Sequence, residues 1–335
     1  MQAASVKLLG QQPRQVMRFA PYILIGIIFI VMPPLMPVYV QSLMTKILIF
    51  AIFAISLDLA IGYTGLLTLG HSACFGAAAY TIGVLAYHYQ VNSLWVGMSL
   101  AILIAVAVAA IFGVIALRVT GFYFLFVTFA LAQLLYSITW KWTWLSSAGI
   151  EGIAGIMRPD TGVPGFTWTF ASYYYFVLTV LAICYFLLNR LVNSPFGYAL
   201  RGIRDSEPRM RVLGYNTWFY QYLSFVIAGL FSGVAGALLA YHNGIVTPEN
   251  VGITVAALGW FIVVLGGQGT LYGPVIGAAI IIPLEFFAGV LTPQRWPLIL
   301  GSAFVLSIMF ARQGVGVYIY RAWRKVVNRY GSIKS

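Results

Sequence analysis

Long apolar runs joined by short polar segments make up nearly all of this chain. The runs fall at 21–40, 43–62, 66–88, 94–117, 121–145, 171–190, 216–241, 253–268, 273–291 and 296–312. A helix needs about 20 apolar residues to cross the hydrocarbon core of a bilayer. The pattern therefore predicts an all-α integral membrane protein, a polytopic bundle of about ten transmembrane helices. No long polar linker divides it, so 1–335 is read as one domain. The stretch "GYTGLLTLGHSACFG" carries Gly62, Gly65, Gly70 and Gly76, and predicts a broken or re-entrant element. A turn is expected in "GGQGTLYGP", and kinks at Pro33, Pro34 and Pro37 of the first run. That run is long and lacks a small-residue cleavage site, so it is read as an uncleaved first span.

Composition fits only this class. Apolar residues make up 61% of the chain and charged residues 8%, against about 25% charged in soluble domains. The net charge of +12 would suggest nucleic acid in a soluble protein. Here the basic residues sit at span ends, where membrane topology explains them. With both termini in the cytoplasm and ten crossings, fifteen of the 19 basic residues fall inside and only Lys46, Lys141, Arg158 and Arg295 outside. The basic tail, 313–335, is then cytoplasmic, and the linker 146–169, with Glu151 and Asp160, faces outside. Cys74 and Cys184 both lie within apolar runs, which argues against a disulfide framework.

One inside segment is unlike a plain joint. "NSPFGYALRGIRDSEPRMRVLGYN" (193–216) holds four arginines and two acids between two apolar spans. Ser194 is a good N-cap and Pro195 suits the first helical position. Leu200 and Ile203 share a face. Pro208 disfavours helix at Glu207 and predicts an elbow there, with a second short helix ending at Gly214. Two short helices presenting Leu200, Ile203 and Leu213 beside arginines look like a docking surface.

This segment resembles the cytoplasmic coupling segment of bacterial ABC importer permeases of the branched-chain amino acid type, which reads roughly SPFGRALRAIRE. Tyr198 stands where that family usually has arginine, and "EPRM" replaces a more alanine-rich stretch. The resemblance continues in order through "LDLAIGYTGLLTLGHSACFGAAAY" (57–80), "AGIEGIAGI" (148–156), "FVIAGLFSGVAGALLA" (225–240), "GGQGTLYGPVIGAA" (266–279) and "LILGSAFVLSIMF" (298–310). It implies a permease subunit in the inner membrane, with no catalytic activity and no cofactor of its own. A second homologous permease would complete a heterodimer. Two cytoplasmic ATPases would carry ATP and Mg, and a periplasmic binding protein would deliver substrate. The implied coupling residues are Ser194, Pro195, Gly197, Leu200, Arg201, Ile203, Arg204, Glu207, Leu213 and Gly214. Branched-chain or related amino acids are the implied substrate class; urea, amides and aromatic acids are carried by similar permeases. The chain has no GxxxxGK[ST], so it is not expected to bind ATP.

Polar groups within spans are the candidates for the translocation path: Asp58, Tyr63, Thr64, His71 and Gln133, with Gly62, Gly65 and Gly70 allowing non-helical backbone beside a cavity. Asp58 would bind a substrate amine or, the expected role, accept backbone amides of the glycine stretch. His71 is expected to be a structurally bonded histidine. Glu285, the other intramembrane acid, is placed near the outer surface. Gly229 and Gly233, with Ala237, are spaced four apart, as are Gly269, Gly273 and Gly277, and predict close helix packing. A proton-coupled secondary transporter using Asp58 and Glu285 is the alternative, and it leaves the ordered segment 193–216 unexplained.

Overall fold

A computed structural model describes residues 36–141, 152–160, 168–291, 295–310, 314–316 and 318. Glu151 and most of the expected first span and of the basic tail lie outside the described residues. Eleven helices occur among the described ones, with one short pair of strands. They are α1 (Val38–Asp58), continued by a π turn (Leu59–Tyr63), α2 (His71–His88), α3 (Leu94–Ala116), α4 (Phe122–Lys141), β1 (Ile153–Ala154) and α5 (Phe170–Val192). Then come α6 (Pro195–Asp205), α7 (Glu207–Val212), α8 (Thr217–Asn243), β2 (Ile245–Val246), a 3-10 turn (Pro248–Asn250), α9 (Ile253–Gly266), α10 (Tyr272–Leu291) and α11 (Trp296–Phe310). Seven of these segments are long and apolar enough to cross a membrane.

Burial sorts the helices. In α1, Ile49, Ala51, Ile52, Phe53, Ala54 and Ile55 are fully buried, and a helix apolar all round belongs inside a bundle. α1 packs against α5, α8, α9 and α10, and α8 packs in turn against α2 and α3. By contrast α3 exposes Leu103, Ile111 and Val114, and α4 exposes Phe122, Tyr123 and Phe126; such faces suit lipid tails. The seam between α8 and α3 is built on small residues. A Cβ on Gly229 would overlap that of Ala109, and one on Gly233 that of Ala105. Gly273 and Gly277 bring α10 against the backbone of α9 at Gly266 and Ile262. Gly269 does not share that seam. It precedes α10, with φ +75° in the turn after α9, because Gly267 has already ended α9 at φ +114°.

The joints collect at two ends. At one, β1 pairs antiparallel with β2, Ile153 opposite Val246, and the Leu94 N–H donates to the Asp160 carbonyl at 3.0 Å. At the other lie 64–67, 117–121, 203–207 and 267–271, joined by contacts described below. Loops expected on opposite sides of the membrane are thus segregated, as alternate crossings require.

Two boundaries and the placement of one residue differ from the sequence expectation. The second span begins at Val38 rather than residue 43, because Val38–Val40 continue upstream into the same helix after Pro37. The third begins at His71, not 66, because the backbone of 64–70 is irregular. Lys46, counted with the outside residues, lies within α1 and meets Glu285 of α10 at 3.1 Å. Their side chains are 30% and 19% exposed, so the ion pair is only partly screened by solvent. Lys46→Ala and Glu285→Ala are expected to lower thermal stability separately by more than the double variant predicts by addition. A double-mutant cycle should give a coupling of about 1 kcal/mol; additive losses would show the pair to be inert.

Candidate functional site

The segment between α5 and α8 folds as two short helices at one end of the bundle. Ser194 has extended backbone (φ −87°, ψ 168°) and Pro195 opens α6. The Ser194 hydroxyl does not cap the helix; it donates to the Leu191 carbonyl at 2.6 Å. Proline has no N–H, so the first turn carries one fewer donor for a cap to satisfy. Gly197 is required by crowding, since a Cβ there would strike the Val192 carbonyl. The elbow lies at Ser206 (φ −164°, ψ 96°), not at Pro208. Pro208 takes the second position of α7, where a missing N–H costs nothing, so the break moves upstream and Glu207 is helical. Gly214 ends α7 with φ +88°, and its N–H donates to the Arg211 carbonyl at 3.0 Å.

The apolar face expected to dock is in part spent inside the chain. Leu200 is fully buried and Ile203 is 3% exposed. The Arg201 guanidinium lies over the rings of Tyr63 and Tyr198, at 5.1 and 5.3 Å, and donates to the Val192 carbonyl at 3.1 Å. Glu207 accepts from Arg211 at 2.6 Å and from the Thr217 hydroxyl at 3.1 Å, which ties α7 to the start of α8. What remains outward is Tyr198, Leu213 and, at 89% exposed, Val212.

Beneath α6 lies a crossing of two irregular backbones. The π turn widens the end of α1, and the Thr64 and Leu66 N–H groups reach back to the Leu59 and Ala60 carbonyls at 3.2 and 2.9 Å. Against it sits the turn after α9. Asp58, fully buried, accepts the Gly269 N–H at 2.6 Å and the Leu271 N–H at 3.1 Å. The expected structural role of Asp58 is therefore met by amides of a different glycine turn, over 200 residues away. A Cβ on Gly62 would overlap the Asp58 carboxylate and the Gly269 nitrogen. Arg204 reaches in from α6 and donates to the Gly62 carbonyl. Its stem passes Gly65, whose φ is +79°.

The remaining candidates are engaged nearby. The Thr64 hydroxyl lies 3.0 Å from that of Ser224 and donates to the Leu59 carbonyl at 2.9 Å. Gly70 packs on Thr128 of α4. His71 is fully buried. Its Nε2 donates to the Phe225 carbonyl at 3.3 Å, leaving Nδ1 to face the Thr68 hydroxyl at 3.4 Å. Gln133 is half-buried on α4; among the described residues no hydrogen bond joins it to this cluster. Sequence reasoning missed Ser224 and Ser232, which serve Thr64 and the His71 carbonyl. Two serines eight residues apart in an otherwise apolar span were the available signal. A cavity of about 360 Å³ opens beside the crossing, lined by segments that include 64–67, 119–121 and 203–207, with Trp218 and Gln221.

Comparison with known proteins agrees with this architecture. The chain is similar to the high-affinity branched-chain amino acid transport system permease protein LivM of Salmonella typhimurium, 27% identical over 293 residues, 81% of this chain and 68% of the relative. The LivM protein of Escherichia coli matches to the same extent, and a probable LivM of Methanocaldococcus jannaschii is 27% identical over 38% of each chain. No solved structure matches. The family described as branched-chain amino acid transport system, permease component, matches residues 39–312, so the chain belongs to that family of multi-pass membrane permeases.

Proposed function

We propose that this chain is the membrane-spanning permease subunit of an ATP-driven ABC importer, moving branched-chain or related amino acids. The observation that carries the reading is the paired helices α6 and α7, fastened between spans of a chain that the family match places among transport permeases. In this reading α6 and α7 face the cytoplasm, both termini lie on that side, and the membrane is the bacterial inner membrane. Two cytoplasmic ATPases bind the exposed Tyr198, Val212 and Leu213. A homologous permease completes the pore, and a periplasmic binding protein delivers substrate at the β1–β2 end. ATP and Mg stay on the partner subunits. The substrate class rests on the relatives, and urea, amides or aromatic acids are its competitors.

The secondary-transporter reading loses its two carboxylates. Asp58 already accepts two amides and Glu285 is paired with Lys46. The test is co-expression with the partner subunits, followed by uptake into vesicles with and without ATP. Val212→Glu with Leu213→Glu is expected to reduce ATPase co-purification and uptake about tenfold or more, the loss of an interface anchor. Uptake that needs no ATP, or that ignores the double variant, would overturn the reading.

A further inference from the structure

We infer that Arg204 is a positioning residue through which the α6–α7 segment drives the spans distant from it in sequence, beside the contact of Arg201 with Tyr63. The inference rests on the importer reading above. α6 is continuous with α5, and α7 leads directly into α8, so motion of the segment reaches those two helices through the chain itself. Nothing covalent carries it to α1, α9 or α10. The crossing beneath α6 supplies that route.

Three segments meet at the crossing. The π turn contributes the Gly62 carbonyl, which accepts from Arg204. The turn between α9 and α10 contributes the Gly269 and Leu271 N–H groups, which Asp58 accepts. α6 contributes Arg204, whose guanidinium also lies beside Gly269, 3.0 Å from where its Cβ would stand. Asp58 thus bonds the glycine turn to the end of α1, while Arg204 bonds the π turn and lies against the same glycine turn. Glycine is needed at each contact: at Gly62 for close approach, and at Gly65 and Gly269 for positive φ beside the arginine stem and head.

The geometry also explains why the crossing is able to move. Neither backbone is α-helical there, so a shift needs no helix to break. The π turn is a widened turn, a local form frequent at functional sites. The cavity beside Arg204 leaves space on the side toward 117–121 and Trp218. Leu200 and Ile203 keep α6 seated on the bundle, so a push on α6 is delivered as displacement of Arg204.

The experiment uses the assembled importer with Arg204→Ala and Arg204→Lys, and compares substrate moved per ATP hydrolysed. Lysine still donates one charged hydrogen bond to the Gly62 carbonyl. Arg204→Ala is expected to lower the ratio about tenfold, the loss of one charge-assisted bond, with Arg204→Lys recovering part of it. Uptake and hydrolysis falling together by one factor, or a ratio equal to wild type, would overturn the inference. A second arm follows amide hydrogen exchange at 59–66 and 267–271 in the purified chain. Faster exchange at both sites in Arg204→Ala supports the tie, and unchanged exchange overturns it. ATP-independent uptake by the wild type would sink the importer reading instead, and the exchange arm would still decide whether Arg204 holds the crossing.

Discussion

Replacing Asp58 with alanine is expected to leave little folded protein. The carboxylate is fully buried and accepts two backbone N–H groups, from Gly269 and Leu271. In alanine both donors lose their partner, the Leu271 N–H in a buried setting and the Gly269 N–H in a half-buried one. An orphaned buried donor costs about 1–3 kcal/mol and a partly hydrated one less, so the variant should lose about 2–4 kcal/mol. That is a large part of the about 5–15 kcal/mol that holds a typical domain together. Asp58→Asn keeps the shape but offers a single acceptor oxygen, so one N–H then faces the carboxamide's own donors. Asparagine should recover at most half of the loss. Thermal unfolding in detergent, scored by the fraction eluting as folded monomer, measures this directly. An unchanged Tm in Asp58→Ala would mean that the glycine turn does not need its acceptor.

A comparable loss is expected at Gly236→Val, by steric means. Gly236 sits where α8 crosses α2, and a Cβ there would overlap the Phe75 carbonyl oxygen. That oxygen is backbone in a buried helix, so neither partner yields without moving a span. Overpacking of this kind costs about 1–3 kcal/mol and sometimes more. The internal control is Gly289→Ala on α10, where an added Cβ meets nothing within 4 Å. There the better helix propensity of alanine should stabilise by up to about 1 kcal/mol. Equal melting of the two variants would show that the α8–α2 approach is looser than the structure places it.

The hydropathy pattern carried the architecture well, because lipid allows few solutions. A run of about 20 apolar residues has to become a helix whose backbone bonds close internally. The breaks in "GYTGLLTLGHSACFG" and "GGQGTLYGP" were legible for the same reason, since glycines cluster where a helix gives way. Pairing between the breaks was not legible. Nothing in the spacing of Asp58 says that its amides come from Gly269 and Leu271 rather than from its own glycine stretch. Small-residue spacing showed the same limit: Gly229 and Gly233 line one seam, whereas Gly269 is set apart by a turn that begins two residues earlier. Amphipathic pattern identified α6 as a surface helix. It gave no sign that Leu200 and Ile203 face inward, because an apolar face seated on the parent bundle and one awaiting a partner have the same periodicity.

The separation between Asp58 and its amides bears on how the protein is made. The residues are 211 and 213 apart along the chain. At about 5–20 residues per second, a ribosome needs roughly 10–40 s to produce the second half of this contact after the first. During that interval α1 waits in the membrane with an unsatisfied acid at its end. The innermost helix of the finished bundle is among the first of the described elements to be synthesised, yet it is completed only when the α9–α10 turn arrives. A nascent chain that stops short of residue 269 therefore holds that acid without the two amides that satisfy it in the finished bundle.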